Sequence, residues 1–173
     1  MDNPGTILIA DDEETFLLST ADLLRREGFT CDTATDAAEA FSLLQDNKYE
    51  LIIADIQMPG NADLEFVQEL SEKSIEIPVI LVTGYPSAET AIKAVKLPVA
   101  AYLLKPVDFP ELLQTAVIAV ESCRTSEMVH RARERLQNRQ EDLERLKKTS
   151  TSSSTGHSGE PMDTFLALTM DNI

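Results

Sequence analysis

Apolar positions fall into two alternating patterns along this chain. Ile7-Leu8-Ile9-Ala10, Leu51-Ile52-Ile53-Ala54 and Pro78-Val79-Ile80-Leu81-Val82 are continuous apolar runs, each ended by polar or turn residues. A short run of this kind predicts a strand buried on both faces. Phe29 to Ala34 alternates more and contains Asp32, which suits an edge strand. Val99 to Leu104 completes a set of five strands. Between the strands the spacing is helical. Leu17, Ala21 and Leu24 mark a first helix, closed by Gly28 at its C′ position. Ala37, Phe41 and Leu44 mark a second helix, and Leu64, Val67 and Leu70 a third. Ala88, Ile92 and Val95 give a fourth that stops near Pro98. Leu113, Val117 and Val120 form the expected inward face of a fifth, with Asp108 as N-cap and Pro110 in the first turn.

Regular alternation of strand and helix predicts an α/β fold, a five-stranded parallel sheet with helices on both faces. Right-handed crossovers leave few topologies, and the flavodoxin-like doubly wound order 2-1-3-4-5 fits best. It puts the polar second strand at an edge. It also sets the ends of strands one and three side by side, at the switch point where such sheets bind ligands.

The main domain is expected over residues 5–121, but the fifth helix has no reason to stop there. Neither Gly nor Pro occurs from Glu111 to Lys148. Val129, Ala132, Leu136, Arg139, Leu143 and Leu146 fall at alternating spacings of three and four, a heptad a/d pattern broken by Arg139. Ser122 and Thr125 weaken the same seam upstream. Residues 122–148 are therefore expected to form a helical extension with a short two-stranded coiled coil, hence a homodimer contact. The alternative is a lone, charge-laced helix. Residues 149–159 are Ser/Thr/Gly-rich and read as a flexible linker. Residues 160–173 carry Met162, Phe165, Leu166, Leu168, Met170 and Ile173. They suit a short docking segment that orders on binding, or a tail without a role.

Composition narrows the function classes. With 173 residues and 43% hydrophobic content the chain has enough for one good core and a tail. No apolar run approaches the ~18–20 residues of a membrane span, and no signal-peptide pattern is present, so a cytoplasmic protein without a membrane partner is expected. Cys31 and Cys123 are far apart and without metal-ligand company, which suits reduced thiols. His130 and His157 lie outside any motif. The net charge of -15 is uneven: residues 1–121 carry -15, residues 122–148 carry +3 and residues 149–173 carry -3. An acidic main domain repels nucleic-acid phosphates. The +3 stretch mixes both signs along a helix, as a solvated face does.

The predicted topology gathers the chemistry at one rim. Asp11 and Asp12 follow the first strand, Asp55 the third, Thr83 the fourth and Lys105 the fifth. Each has an ordinary explanation taken alone: Asp55 an Asx-type turn, Asp11 a helix cap, Thr83 a turn hydroxyl, Tyr102 an edge-strand packing residue, Lys105 a surface lysine. Together they mean more. Three carboxylates in one pocket repel unless a cation joins them, and a hard divalent ion with few protein ligands suits Mg²⁺. A nucleophilic carboxylate, Mg²⁺, an ammonium and a hydroxyl are what phosphoryl transfer onto an aspartate needs.

The pieces ILIADDE at 7–13, DIQMPG at 55–60, LVTG at 81–84 and YLLKP at 102–106 stand in that order. In these the chain resembles the receiver domain of a bacterial two-component response regulator, over residues 5–121. The resemblance implies that Asp55 is the phosphoacceptor. It implies that Asp12 binds Mg²⁺ directly, Asp11 through water, and Gln57 through its backbone carbonyl. Lys105 is implied to pair with the phosphoryl group, across a Lys105–Pro106 peptide that is usually cis. Thr83 and Tyr102 match the switch hydroxyl and switch aromatic, and Gln57 and Tyr85 occupy variable positions that tune dephosphorylation. A histidine kinase or phosphotransfer protein is the implied phosphodonor, and an unidentified downstream protein the implied target. Phosphorylation would then shift a two-state equilibrium, with output by protein–protein contact. No catalysis is expected beyond the chain's own acyl phosphate.

Three alternatives stand beside this. A DNA-binding transcription regulator has only the +3 helix in its favour, and no helix-turn-helix follows. An aspartate-based phosphohydrolase of the haloacid-dehalogenase kind would place a second Asp where this chain has Gln57. A receiver-like scaffold that is never phosphorylated would keep the same residues.

Overall fold

The computed structural model describes residues 3–152, with side chains through residue 148; the readings made for 153–173 lie outside the described residues. Two compact units divide at Met128 and Val129. The first holds β1 (Thr6–Ala10), α1 (Glu14–Arg26), β2 (Thr30–Ala34), α2 (Ala37–Asp46), β3 (Leu51–Asp55), α3 (Glu65–Glu72), β4 (Val79–Thr83), α4 (Ala88–Ala94) and β5 (Val99–Leu104). The helix α5 (Phe109–Ser152) begins in the first unit and supplies the described part of the second. It runs into the stretch whose composition suggested a linker.

All strand pairs are parallel, and the sheet order is β2-β1-β3-β4-β5, as expected. The continuous apolar runs are explained by two cores, one on each face. Leu8, Ala10, Ile52 and Ala54 face α2 and α3 residues such as Ala40, Phe66, Val67 and Leu70. Ile7, Ile9, Leu51 and Ile53 face Leu17, Ala21 and Leu24 of α1 and Leu112, Ala116 and Val120 of α5. Successive strand residues point to opposite faces, so a strand covered on both sides must be apolar at every position. β2 is an edge, and its Asp32 accepts a hydrogen bond from the Tyr49 hydroxyl at 2.7 Å.

Helix ends follow local chemistry. Gly28 closes α1 at φ +95, with Gly28 N–H on the Arg25 carbonyl and Phe29 N–H on the Leu24 carbonyl, the paired bonds of a Schellman cap. The Asp36 carboxylate caps α2 through Glu39 N–H at 2.8 Å. Asp108 caps α5, its carboxylate accepting Glu111 N–H at 3.4 Å while its carbonyl takes the first helical bond from Leu112 N–H.

Three helix faces differ from expectation. Leu64 precedes α3 instead of starting it: it is fully buried with φ 65, and the helical face is Phe66, Val67 and Leu70. In α4 the predicted inward residues point outward. Ile92 is 64% and Val95 85% exposed, Ala88 is exposed too, and Thr90 and Ala94 are buried instead. A helix this short carries too few positions for spacing alone to choose its face, and the more apolar side lost. In α5, Val117 is exposed and the buried stripe is Leu112, Ala116, Ala119, Val120 and Cys123. Small alanines there let the helix lie close against the sheet.

Candidate functional site

Strand ends build the site. β1 ends at Ala10 and β3 at Asp55, and the two strands are paired. Asp11, Asp12 and Asp55 consequently converge: one carboxylate oxygen from each lies within 4.8 Å of the others. Asp11 and Asp55 are buried, while Asp12 is exposed. The Asp55 carboxylate also makes the turn that its place after a strand suggested, accepting Gln57 N–H at 3.0 Å through Oδ1. Asp11 Oδ1 does the same for Glu13 N–H at 2.8 Å. In both residues one oxygen fixes the loop and the other faces the rim.

Lys105 completes the cluster. Its Nζ lies 2.7 Å from Asp11 Oδ2 and 3.3 Å from Asp55 Oδ2, with Glu13 Oε2 at 3.4 Å. The Phe16 ring lies under the ammonium at 4.4 Å from its centroid. Lys105 reaches this point because its N–H continues the sheet onto the Thr83 carbonyl at 2.8 Å. The Lys105–Pro106 peptide is cis. Asp12, Phe16, Asp55, Gln57, Tyr85 and Lys105 contribute to the walls of an open cleft of about 640 Å³.

Charge in the cluster is unbalanced. Burial pushes the Asp11 carboxyl above its ordinary range, and the Asp55 charge adds to the rise; the Lys105 ammonium and Glu13 N–H oppose it without cancelling it. Burial alone would lower Lys105, but Asp11 and Asp55 outweigh it and hold the ammonium more tightly protonated. Asp11 Oδ2 is buried without an aligned hydrogen-bond donor, so the ammonium serves it only as an ion-pair partner. A buried, under-satisfied oxygen amid three carboxylates is a donor set that fits a hard divalent cation. The residues therefore fit Mg²⁺.

Thr83 is fully buried at the end of β4, and its Oγ1 accepts Tyr85 N–H at 3.0 Å. Tyr102 is half-buried on β5, its hydroxyl 3.1 Å from Thr90 Oγ1 on α4. The fold thus brings Asp11, Asp12, Asp55 and Lys105 into direct array and puts Gln57 on the cleft wall. Tyr102 belongs instead to the contact between β5 and α4.

Three supporting residues escaped the sequence reading. Glu13 and Phe16 hold Lys105; the acidic run signalled the first, and nothing in the pattern signalled the second. Asn61 is fully buried and its Nδ2 donates to the Asp55 carbonyl at 2.8 Å, fixing the residue's backbone. It stands directly after Pro59-Gly60, where nothing in the sequence sets it apart from an ordinary turn residue.

Comparison with known proteins agrees with this architecture. The sequence profile of the response regulator receiver domain matches residues 7–117. The photosynthetic apparatus regulatory protein RegA of Cereibacter sphaeroides is 30% identical over 117 residues, covering 68% of this chain and 64% of that protein. The transcriptional regulatory protein ZraR of Klebsiella oxytoca is 31% identical over 121 residues, covering 70% of this chain but 27% of its own length. The chain thus spans less than two thirds of these relatives. The crystal structure of a CheY-like response regulator receiver domain protein from Methanospirillum hungatei superposes with a TM-score of 0.65 at 27% identity, covering 70% of this chain and 97% of that one.

Proposed function

The chain belongs to the response regulator receiver domain family, and we propose that it works in phosphorelay signalling by accepting a phosphoryl group on Asp55. The observation that carries this reading is the juxtaposition of Asp55 with Asp11, Asp12 and Lys105 in an open cleft. The donor is a phosphohistidine on a histidine kinase or phosphotransfer protein. An Asp55 carboxylate oxygen attacks phosphorus, the P–N bond breaks, and the imidazole leaves with the bond's electron pair. The product is an acyl phosphate.

This chain's residues divide the work. The Asp55 carboxylate is aimed by Gln57 N–H, and its backbone is fixed by Asn61. Lys105 stands beside the nucleophilic carboxylate and neutralises charge on the incoming group. Asp11, Glu13 and Phe16 keep it there. Asp11, Asp12, Asp55 and the Gln57 carbonyl would hold Mg²⁺, which supplies Lewis-acid neutralisation of the phosphoryl oxygens when bound. The Thr83 hydroxyl donates to a phosphoryl oxygen, and Tyr102 follows that move. The resulting shift in conformational populations is read on α4, β5 and the neighbouring part of α5 by a downstream protein. In this reading the receiver occupies 5–121 and the helical output 122–152. No helix among the described residues is long and apolar enough to cross a membrane, which supports a cytoplasmic site of action.

The test is labelling with acetyl phosphate. Phosphorylation is expected for the unaltered chain in Mg²⁺ and is expected to vanish in Asp55→Asn and in excess EDTA. Undiminished acyl phosphate in Asp55→Asn would remove the assignment.

The name of ZraR, a transcriptional regulatory protein, favours a second reading, transcriptional regulation. A gel shift with long duplex DNA at physiological salt separates the two. The acidic charge leads us to expect no shift by this chain.

A further inference from the structure

Among the described residues Lys105 pairs with three carboxylates, and they are not alike. Asp11 and Asp55 belong to the cluster that fits a divalent cation, whereas Glu13 stands outside it. With a divalent ion held there, the ammonium shares two of its three partners with a like charge, and the two repel. The aspartates are poorly placed to yield. Asp11 Oδ1 is held by Glu13 N–H and Asp55 Oδ1 by Gln57 N–H. The lysine is the group that gives way. We propose that the first turn of α1 receives it: Glu13 and Phe16 form a second seat for the Lys105 ammonium, and are positioning residues for cation and lysine together. The proposal rests on the reading of Asp11, Asp12 and Asp55 as a cation site.

The seat is built from one helical turn. Glu13 is the N-cap of α1, and its carbonyl accepts Leu17 N–H at 2.9 Å. Phe16 follows three residues on, so both side chains lie on one face of the helix. Glu13 Oε2 is 3.4 Å from Lys105 Nζ, and the ammonium is aligned to donate to it. Toward Asp11 the ammonium is an ion-pair partner alone. The Phe16 ring centroid is 4.4 Å from Nζ, well inside the range of a cation–π contact. Glu13 is exposed and can close on the lysine, while Asp11 is buried and fixed.

The two parts of the seat divide the task. The ring face attracts an ammonium but offers no oxygen to a hard divalent ion, so it holds the lysine without competing for the cation. Glu13 supplies the counter-charge that the aspartates no longer give in full. Loading the cation and keeping the lysine then cease to be alternatives. The ammonium stays beside Asp55, within a short side-chain movement of a group attached there.

The test uses the full chain, with thermal unfolding confirming that each variant is folded. Calorimetric titration with Mg²⁺ reads the first arm. Phe16→Leu is expected to weaken binding roughly twofold to fivefold while Lys105 is present, and to have no effect in a Lys105→Met background. Phe16→Tyr, which keeps the ring face, is expected to bind as the unaltered chain does. Proton–carbon correlation spectra read the second arm, because a ring shields protons held over its face. The Lys105 ε-methylene signal, identified by its loss in Lys105→Met, is expected upfield in EDTA and to stay upfield in saturating Mg²⁺. In Glu13→Gln it is expected to lose that displacement when Mg²⁺ is added. Equal weakening by Phe16→Leu with and without Lys105, or a displacement that Mg²⁺ abolishes in the unaltered chain, would overturn the seat alone. An unaltered chain that binds no Mg²⁺ would overturn the cation site and the seat with it.

Discussion

Replacing Asp11 by asparagine is expected to stabilise the metal-free protein while blunting its response to magnesium. The substitution keeps shape and removes one charge. Asp11 is 1% exposed, and its carboxylate shares a 4.8 Å cluster with Asp12 and Asp55. At an effective dielectric near 20, each such neighbour costs at least ~3.5 kcal/mol, about 7 for both. Lys105 at 2.7 Å returns about 6 kcal/mol on the same scale. The charges nearly cancel, and the desolvation of a buried carboxylate tips the balance against it. The asparagine oxygen can still accept Glu13 N–H, and Lys105 keeps Asp55 and Glu13. Allowing for a poorer contact between the new amide and the ammonium, the net gain is about 1–2 kcal/mol, or roughly 4–8 °C in melting temperature. Thermal unfolding followed by circular dichroism in EDTA at neutral pH measures it. Adding Mg²⁺ at about ten times its dissociation constant stabilises the unaltered chain by about 1.4 kcal/mol and the variant by less. Acidification supplies a sign test. Because the folded-state carboxyl is raised above 3.8, ionisation costs stability as pH climbs through the folded value. The variant's advantage is therefore expected to narrow in acid and to vanish below 3.8. An Asp11→Asn chain that melts below the unaltered one in EDTA would refute the reasoning, since the Lys105 pair would then outweigh repulsion and burial together.

Arg124→Ala removes the guanidinium that donates from Nε and Nη2 to Glu50, and is expected to cost about 0.5–1.5 kcal/mol in denaturant unfolding at neutral pH, modest because both side chains are partly exposed. Burial alone would raise the Glu50 carboxyl, but Arg124 and Thr6 N–H outweigh it and lower it, so the difference between variant and parent is expected above 4.5 and lost as pH falls through the folded value. Ser74 closes α3 at φ 55 in a Schellman cap that favours glycine; Ser74→Gly is expected to gain about 0.5–1 kcal/mol, and no gain in melting temperature would count against the strain. Gly60→Ala is expected to cost about 1–3 kcal/mol, because φ is +81 and the new Cβ would stand 2.8 Å from Ala37 Cβ; unchanged stability would refute that clash.

The strand ends were readable because one physical rule governs them: an apolar run buried on both faces must stop where polar groups begin. Ala10-Asp11, Asp55 and Thr83 each mark such a stop, and the sheet order followed from chain chirality and the polarity of β2. That is why the acidic cluster is legible in the sequence. Side chains that serve the site from helices or turns obey no such rule. Phe16 is an apolar residue on α1 that spacing assigns to packing, yet its ring faces the Lys105 ammonium. Asn61 looks like any residue after Pro-Gly, and only the fold turns its amide onto the Asp55 carbonyl. The end of α5 was misjudged for a related reason. Ser and Thr are weak helix formers, but a helix already nucleated carries through Thr149 to Ser152 at little cost per residue.

The reversed face of α4 bears most directly on how a signal would leave the site. Ile92 and Val95 are exposed, and so is Leu104 on β5. Inward, α4 offers only Thr90 and Ala94, and its ties are polar: Thr90 Oγ1 to the Tyr102 hydroxyl, and Lys93 to both oxygens of Asp63. Burying a large apolar side chain contributes about 1.5–3 kcal/mol, whereas a hydrogen bond contributes about 0.5–1.5. An element of seven residues held mainly by the weaker kind is inexpensive to displace. The chain enters it just after Thr83, whose hydroxyl accepts Tyr85 N–H. If Thr83 turns toward a phosphoryl group on Asp55, that bond is redirected, and the segment leading into α4 loses its first anchor. Tyr102 is the partner at the far side. In the proposed function, exposed apolar residues on a weakly tethered helix are therefore a surface whose position Asp55 can set, and the polar contacts of Thr90 are what a moving Tyr102 would have to break.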